Sequence, residues 1–182
     1  MKQPFAIFRI NKLKNSGAIN GAAAHIMRTR ETPNANPDGR CEVLHCSAGH
    51  PQKISDAVDI EIGNRRTRKD SVKAVEVLLS ASPEYFRSED PTAAGTWNEQ
   101  KLNDWRAAVE PWIRDNFPHA VLIALHLDES TPHYSIIDVP IDGKDNLSCK
   151  NKYGGKSRTD IARWHTSFAK CVDHLGIKRG LE

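Results

Sequence analysis

The sequence predicts an α+β fold in which a mainly antiparallel β-sheet is flanked by helices. Two apolar segments of strand length, residues 120–127 and 133–141, are separated by only five positions of polar residues and proline. A connection this short pairs neighbouring strands antiparallel. Segments with helical periodicity lie between the other predicted strands, and this arrangement is typical of the α+β class.

The first forty residues predict one strand, one helix and a loop. Residues 5–10 are predicted to form the strand. Residues 16–30 are rich in small side chains and are predicted to hold a helix that ends near His25. Residues 32–40 contain two prolines, two asparagines and a glycine, which indicates a loop.

The middle of the chain predicts two helices and a strand. Residues 55–64 are predicted to form a short helix with Ser55 as its N-cap. Residues 71–80 are apolar and β-branched, which favours a strand. Residues 98–117 carry apolar side chains at helical spacing, and Pro111 among them predicts a kink or a break into two helices.

The last third of the chain contains the strand pair at residues 120–141 and a closing helix. Residues 157–175 are predicted to form this helix, with Gly176 as its C-cap. A chain of 182 residues is long enough to bury one sizeable core. Residues 1–182 are therefore predicted to form a single domain.

The composition is that of an ordinary globular protein, with 38% hydrophobic and 27% charged residues. No apolar run approaches the ~20 residues that a membrane-spanning helix needs. Residues 1–5 show no signal-peptide pattern. The sequence therefore predicts a cytoplasmic protein with no membrane contact in this domain.

The net charge of +3 is small, but the basic residues are clustered. One cluster lies within residues 1–40, and two others follow later in the chain. Together the three clusters could bind one polyanion. For any single cluster, ordinary solvent-exposed surface charge explains the basic residues about as well as binding to a polyanion does. The second and third clusters are Arg65, Arg66, Arg68 and Lys69, and Lys150, Lys152, Lys156 and Arg158.

Cysteine and histidine side chains lie close together between residues 41 and 50. Both types ligate zinc, but their spacing here matches no established zinc pattern. Packing thiols and loop histidines are therefore favoured over a structural zinc site. The four residues are Cys41, His45, Cys46 and His50.

Two histidines at the turn between the best-defined strands predict a metal site. Side chains alternate along a strand, so His133 and Ser135 share one face, and the short turn can place His126 opposite His133. Two imidazoles on neighbouring strands are a suitable start for a divalent metal. Glu129, in the turn, could be a ligand or could orient a histidine. The alternative is a pair of surface histidines in a hairpin.

The segment from His126 to His133 resembles the third motif of the plasmid-mobilisation relaxases of the MobV, or Mob/Pre, family, which are HUH endonucleases. Three other segments resemble family motifs in the expected order. Residues 25–28 resemble the first motif, residues 64–70 the arginine-rich second motif, and residues 146–180 the end of the catalytic domain. The resemblance covers most of the chain and implies an HUH relaxase-like fold.

One position departs from the family pattern, which ends in histidine, a hydrophobic residue and a second histidine. Here the triplet is His133, Tyr134 and Ser135, and a hydroxyl is a poorer ligand than imidazole for a transition metal. The resemblance implies a ligand set drawn from His126, His133, Glu129 and Ser135. Either Glu129 or water completes the shell, or a harder ion such as Mn²⁺ or Mg²⁺ is preferred, or catalysis is weakened. The first two outcomes together are favoured.

The resemblance implies a metal-dependent DNA strand transferase. Such an enzyme nicks one strand at a plasmid transfer origin, becomes joined to the 5′ phosphate and later rejoins strands, in conjugative mobilisation or plasmid recombination. His25 stands where family members carry a nucleophilic histidine. Arg28 and Arg65 are expected to contact the scissile phosphate, with Glu129 as a further catalytic residue.

The resemblance also implies that the partner is single-stranded or hairpin origin DNA. Phosphate contacts by basic side chains give affinity and salt dependence, and they are expected from Arg66, Arg68, Lys69, Lys150, Lys152, Lys156 and Arg158. Tryptophans could stack on bases, although helical spacing favours core packing for the first three of Trp97, Trp105, Trp112 and Trp164.

Two other functions stay open. One is a catalytically weakened protein that binds an origin or hairpin on the same fold, which only Ser135 supports. The other is a rolling-circle replication initiator, against which His25 in place of a tyrosine pair speaks. Relatives often continue into a dimer-forming C-terminal region, so a longer native chain that dimerises there is a further expectation.

Overall fold

The computed structural model describes residues 2–36, 38–154 and 158–180, with the backbone alone described for residues 158–160. Its strands are β1 (Phe5–Leu13), β2 (Cys41–Cys46), β3 (Ala74–Ala81), β4 (Ala120–His126), β5 (His133–Asp138) and β6 (Lys178–Arg179). Its helices are α1 (Ser16–Ile26), α2 (Ile54–Ile62), α3 (Pro83–Phe86), α4 (Glu99–Asn116), α5 (Cys149–Tyr153) and α6 (Arg158–Val172). Single 3-10 turns, Pro51–Lys53 and Asp173–Leu175, precede α2 and follow α6.

The six strands form one sheet in the order β2-β4-β5-β3-β1-β6. Every neighbouring pair is antiparallel except β1 and β6, which are parallel. The register of β4 and β5 pairs His126 with His133. The predicted α+β class with a mainly antiparallel sheet is therefore confirmed.

Helices cover both faces of this sheet because the central strands are apolar on both sides. All six residues of β5 are buried. On one face, α1 and α2 pack their apolar residues, such as Ile26 and Ile54, against Ala124 of β4. On the other face, α4 and α6 pack around Trp105 and Tyr134. The sheet therefore lies between two separate hydrophobic cores.

The four tryptophans all pack in or against the second of these cores. Trp105 is fully buried and stacks on Tyr134, with ring centroids 5.1 Å apart. Trp112 and Trp164 contact each other within the same aromatic cluster, and Trp97 packs at its border. The core-packing interpretation is therefore favoured over base stacking, and it extends to Trp164.

The prediction of Ser55 as an N-cap is wrong. Helix α2 begins at Ile54, so Ser55 lies buried within its first turn. Asn20 of α1 accepts a hydrogen bond from the Ser55 backbone N–H at 2.9 Å and donates one to the Ser55 hydroxyl at 3.0 Å. A neighbouring helix thus satisfies an N–H group that a local cap would otherwise bind. The same bonds fix α1 against α2.

Helix α4 continues through Pro111, so the predicted break into two helices does not occur. A proline has no N–H to donate within the helix, which costs stability. Burial of one face along the whole helix offsets this loss by holding both halves against the sheet. The buried residues are Leu102, Trp105, Val109 and Ile113.

The end of the closing helix is as predicted. It passes through a 3-10 turn into Gly176, which adopts a left-handed φ of 79°. The predicted first residue, Ser157, lies outside the described residues. Strands β2 and β6 and the short helices α3 and α5 were not predicted. None of the helices described has the length and apolarity needed to cross a membrane.

Candidate active site

Two histidine rings stack across the turn between β4 and β5. The centroids of His126 and His133 are 4.8 Å apart, with 25° between the ring planes. His126 is fully buried, and neither of its ring nitrogens has a hydrogen-bond partner among the described residues. Buried polar atoms normally have a partner, so an orphaned imidazole in a protein interior is suited to binding an ion.

Each of the two imidazoles has a ring nitrogen that can bind a metal ion. Burial, followed by the neighbouring charges of His133 and Arg28, lowers the pKa of His126 to about 3. His133 Nδ1 lies 3.0 Å from the Thr131 carbonyl oxygen. A carbonyl only accepts, so this nitrogen carries the proton and the Nε2 lone pair points elsewhere. A backbone carbonyl that fixes the tautomer in this way is typical of metal-binding histidines.

The donor set therefore fits a divalent transition metal, with His126 and His133 as the first two ligands. Within residues 2–36, 38–154 and 158–180, no three histidine, cysteine, aspartate or glutamate side chains form a ready cage for an ion. The remaining ligands must come from side chains that rotate into place, from water or from substrate. Mn²⁺ and Mg²⁺ both accept such mixed shells.

Arg28 binds the two carboxylates of the β4–β5 turn. Its guanidinium donates to both oxygens of Asp128 at 2.6 and 2.9 Å and to Glu129 at 2.6 Å. These charge-assisted bonds are strong because the three side chains are largely shielded from water. Arg28 adopts a left-handed φ of 54° just after α1, a conformation that costs a non-glycine residue about 1 kcal/mol or more. The ion pairs offset that cost.

His25, in the last turn of α1, lies beside this cluster. Its Nε2 atom is 3.9 Å from the Glu129 carboxylate and 3.5 Å from the Arg28 guanidinium, and its side chain is 35% exposed. Burial and the charge of Arg28 lower the pKa of His25 below its ordinary value. The ring is therefore neutral at physiological pH and accessible from solvent, as a nucleophile must be.

The loop before β2 fixes the position of Asp128. The Asn36 backbone N–H donates to the Asp128 carbonyl oxygen at 2.6 Å. Gly39 packs so closely that a Cβ atom there would lie 2.5 Å from Asp128 Cα. A glycine is therefore required at this position for steric reasons.

Replacing Gly39 with alanine is expected to displace the turn that carries Asp128 and Glu129. We expect a loss of about 1–3 kcal/mol in unfolding free energy, as for other overpacked sites, together with weaker divalent-ion binding. Chemical denaturation and isothermal titration would measure both. Gly49→Ala is the matched control, because a Cβ there would meet nothing within 4 Å. Equal behaviour of the two variants would contradict the prediction.

Ser135 lies on the same sheet face as the histidine pair. It is buried and stands opposite Ala124 of β4 and Leu78 of β3. A serine side chain is much shorter than a histidine side chain, so Ser135 reaches less far above the sheet than His133. Ser135 is therefore the weakest member of the expected ligand set.

Arg65 does not lie at this site. Its guanidinium donates to the carbonyls of Glu61 and Ile62 and to the Asp145 carboxylate. The Glu61 carboxylate in turn contacts His119, which immediately precedes β4. This is the opposite end of β4 from His126, about 20 Å away at ~3.3 Å per residue. The expected contact of Arg65 with the scissile phosphate therefore needs correction: Arg65 caps α2.

Those of the other predicted DNA-binding residues whose side chains the structure describes lie around the same far end of the sheet, here called the distal end. Arg66, Arg68 and Lys69 are exposed in the loop between α2 and β3. Lys150 is exposed on α5. Lys152 is instead largely buried against Asp138 at 2.8 Å, which corrects its expected role as a DNA clamp. Lys156 lies outside the described residues, and of Arg158 only the backbone is described.

Arg9 is a candidate that sequence reasoning missed. A shallow groove of about 210 Å³ runs beside the histidine pair and is lined by Arg9, Ser80, Glu129 and His133, among others. The Arg9 side chain is exposed and has no hydrogen bond or ion pair with the described residues. The register of β1 and β3 places Arg9 opposite Leu78, two residues along β3 from Ser80. Only the sheet order could have revealed this proximity.

The residues considered for structural zinc have separate partners. Cys46 Sγ contacts the Ala48 carbonyl, His45 contacts the Ser47 hydroxyl, and His50 caps the turn before α2. Cys41 lies instead beside His126, and burial raises the pKa of its thiol to about 11. For three of these four residues the interpretation as packing thiols and loop histidines is therefore favoured over a structural zinc site.

The fold places the protein in a known class. The structure aligns with the relaxase domain of MobM, solved as an Mn-bound crystal structure with plasmid pMV158 oriT DNA, with a TM-score of 0.71. The two sequences are 23% identical, and the match covers 97% of this chain and 90% of that chain. A second MobM structure, bound to a longer oriT DNA, gives a TM-score of 0.65. The fold is thus that of a relaxase domain.

Sequence comparison gives the family. A family model described as plasmid recombination enzyme, Mob_Pre, matches residues 2–182, and the chain belongs to this family. It is 31% identical to the "65 kDa protein" of Zymomonas mobilis over 98% of this chain, and 27% identical to a plasmid recombination enzyme of Bacillus sp. over 97%. It spans only 30% and 42% of the lengths of these two relatives.

Proposed function

We propose that this domain nicks one DNA strand at a plasmid transfer origin, with a divalent metal ion, and rejoins it later. The observation that carries the proposal is the neutral, accessible His25 held beside Glu129 on the same rim as the His126–His133 pair. The oriT DNA and Mn reported for the MobM relaxase domain support the choice of substrate and ion. We expect it to act in the cytoplasm.

The histidine pair would hold the ion. When bound there, a divalent ion polarises the phosphate and offsets the negative charge that grows during the reaction. His133 keeps its orientation through Thr131, and Asp128 lies 3.6 Å from His126 Nδ1, beyond hydrogen-bond distance. An ion held by these histidines of β4 and β5 would therefore fix the position of the reactive phosphate relative to α1.

His25 would be the nucleophile. A lone pair of the neutral ring attacks phosphorus, a P–N bond forms, and the bond from phosphorus to the 3′ oxygen breaks. The 3′ oxygen takes up a proton from water and leaves as a hydroxyl, while Glu129 accepts the N–H proton of the imidazole. Running these steps backwards rejoins the strand. The product before rejoining is a phosphoramidate to the 5′ end.

Arg28 acts mainly as a positioning residue in this arrangement. Its guanidinium is engaged with Asp128 and Glu129, so it holds Glu129 beside His25. Arg9 is the cation of the groove that has no partner among the described residues, and it is therefore the better candidate for contacting a phosphate near the cleaved bond. The exposed basic residues of the distal end would bind flanking DNA or a hairpin. Dimerisation would involve the part of the longer relatives beyond this domain.

The test is a nicking assay on a supercoiled plasmid that carries the cognate origin. Mn²⁺ or Mg²⁺ should give relaxed DNA with protein on the 5′ end, and EDTA should prevent it. Origin binding without cleavage under either ion would reject the proposal. It would favour the weakened origin-binding protein, for which Ser135 is the specific observation.

Arg9 and Arg65 should differ in what they support. Arg9→Gln is expected to weaken origin binding and nicking by about 10-fold and to reduce the salt dependence of binding, since one phosphate contact is lost. Arg65→Gln should leave nicking by the folded protein intact but lower the unfolding free energy by about 1 kcal/mol, because its bonds at the end of α2 are lost.

Filter binding at several salt concentrations and thermal unfolding separate these effects. If Arg65→Gln reduced nicking more than Arg9→Gln at a temperature where both are folded, the assignment of the two arginines would be reversed.

A further inference from the structure

Three side chains stand in one row across the sheet at the candidate metal site. The registers pair Cys41 of β2 with His126 of β4, and His126 with His133 of β5. Directly paired residues of antiparallel strands point to the same face, with Cβ atoms about 4.5–5.5 Å apart. The thiol and the two imidazoles therefore occupy one face of three neighbouring strands.

Contacts to α1 confirm the direction of the thiol. Cys41 Sγ contacts the carbonyl oxygen of Ile26, the last residue of α1, at 3.4 Å. Helix α1 covers the face on which His126 lies, and its C-terminal end carries His25. Cys41 is thus beside the orphaned ring of His126 and not on the opposite face.

We propose that Cys41 is the third protein ligand of the ion, which gives this chain a site of two imidazoles and one thiolate. The inference rests on the metal role proposed above for His126 and His133. It assigns to β2 the ligand that the family pattern takes from position 135, where this chain has serine. Thiolate favours borderline and soft ions, so Zn²⁺ and Co²⁺ should bind more tightly than Mn²⁺.

The competing ligands are less available than the thiol. Asp128 and Glu129 are held by Arg28 through bonds of 2.6 to 2.9 Å between opposite charges, and moving either carboxylate breaks such a bond. Cys41 has only a weak S–H contact to a carbonyl to give up. Rotation of the Cys41 side chain towards His126 therefore costs least.

Binding of the ion to Cys41 releases one proton. The thiol loses its proton to the buffer when sulfur binds the ion, and the bond to the Ile26 carbonyl is lost at the same time. The two histidines bind through their unprotonated ring nitrogens. The net reaction therefore exchanges one divalent cation for one proton at the site.

Titration of the metal-free protein with Co²⁺ tests the proposal, since thiolate–Co²⁺ bonds give a strong near-ultraviolet charge-transfer band. Wild-type protein should show this band at one equivalent. Cys41→Ser should lose it and bind Co²⁺ at least about 10-fold more weakly. Cys46→Ser is the matched control, because Cys46 is another half-buried thiol of β2 and should keep both band and affinity.

Co²⁺ binding without the band in wild-type protein, or an unchanged band in Cys41→Ser, would overturn the proposal. If Cys41→Ser fails to fold by circular dichroism, Cys41→Ala provides the same comparison. Nicking in Mn²⁺ is measured separately, so the two ideas can fail independently. A Co²⁺–thiolate band without any nicking would keep the ligand and reject the function, whereas nicking without the band would do the reverse.

Discussion

Replacing His25 with alanine should abolish the covalent protein–DNA product and lower the nicking rate by about 10³-fold or more, as expected when a nucleophile is removed. Origin binding should change by no more than about two-fold, because the ring is neutral and contributes no phosphate ion pair. Denaturing gels of labelled DNA would detect the adduct, and gel shifts would measure binding.

His45→Ala is the matched control for this experiment. His45 is an exposed histidine whose ring, among the described residues, has a hydrogen bond with the Ser47 hydroxyl alone, so its removal should leave nicking and adduct formation unchanged. A 5′ adduct that persists in His25→Ala would assign the nucleophile to another residue. Tyr134 is an unsuitable replacement, since it is fully buried and donates to Glu110 on the other face of the sheet.

Replacing His126 with leucine should separate stability from metal binding. The affinity for divalent ions is expected to fall by more than about 100-fold, because a central ligand is lost. The metal-free protein should keep its unfolding free energy or gain about 1 kcal/mol, since two buried, unpaired nitrogens are replaced by apolar atoms of similar volume. Calorimetric titration and urea unfolding would measure the two quantities.

His119→Leu is the comparison variant. His119 is a partly buried histidine next to the other end of β4, where it contacts Glu61 at 2.7 Å. Its loss should lower stability without changing ion affinity, the opposite of the result for His126. A His126→Leu protein that binds ions as before, or that loses more than about 2 kcal/mol when metal-free, would remove the evidence for a metal ligand.

The histidine pair could be predicted from the sequence because its geometry is local. A five-residue connection between two apolar segments leaves few registers, and strand alternation then decides which side chains meet. The pairing of His126 with His133 follows from these two rules alone. The helix end near His25 was also predicted, because the small residues of the helix are followed by a segment rich in proline and asparagine that is typical of a loop.

Residues brought together from distant segments could not be predicted in the same way. Arg65 and Arg9 are both arginines next to strands or helices, and nothing in their neighbours tells which one reaches the site. The order of the strands determines which arginine reaches the site. It brings β1 close to the histidine pair, whereas the end of α2 lies at the distal end. Cys41 became a candidate only when β2 was found beside β4.

Predictions from local sequence also failed where contacts with distant parts of the chain outweighed a local preference. Ser55 has the side chain of an N-cap, but Asn20 supplies the bond from another helix. Pro111 should interrupt a helix, but the buried face of α4 holds it together. In both cases the packing energy of the whole domain outweighs a local preference of about 1–3 kcal/mol.

The ion pair between Arg28 and Asp128 joins positions 100 residues apart. Closing so large a loop has an entropy cost that other contacts must offset, so we expect this ion pair to form late in folding. His25 therefore gains its partner Glu129 only when α1 and the turn between β4 and β5 have come together. A chain that has left the ribosome only as far as β4 therefore already carries His25 and Arg28 but lacks the carboxylates of Asp128 and Glu129 that complete this cluster.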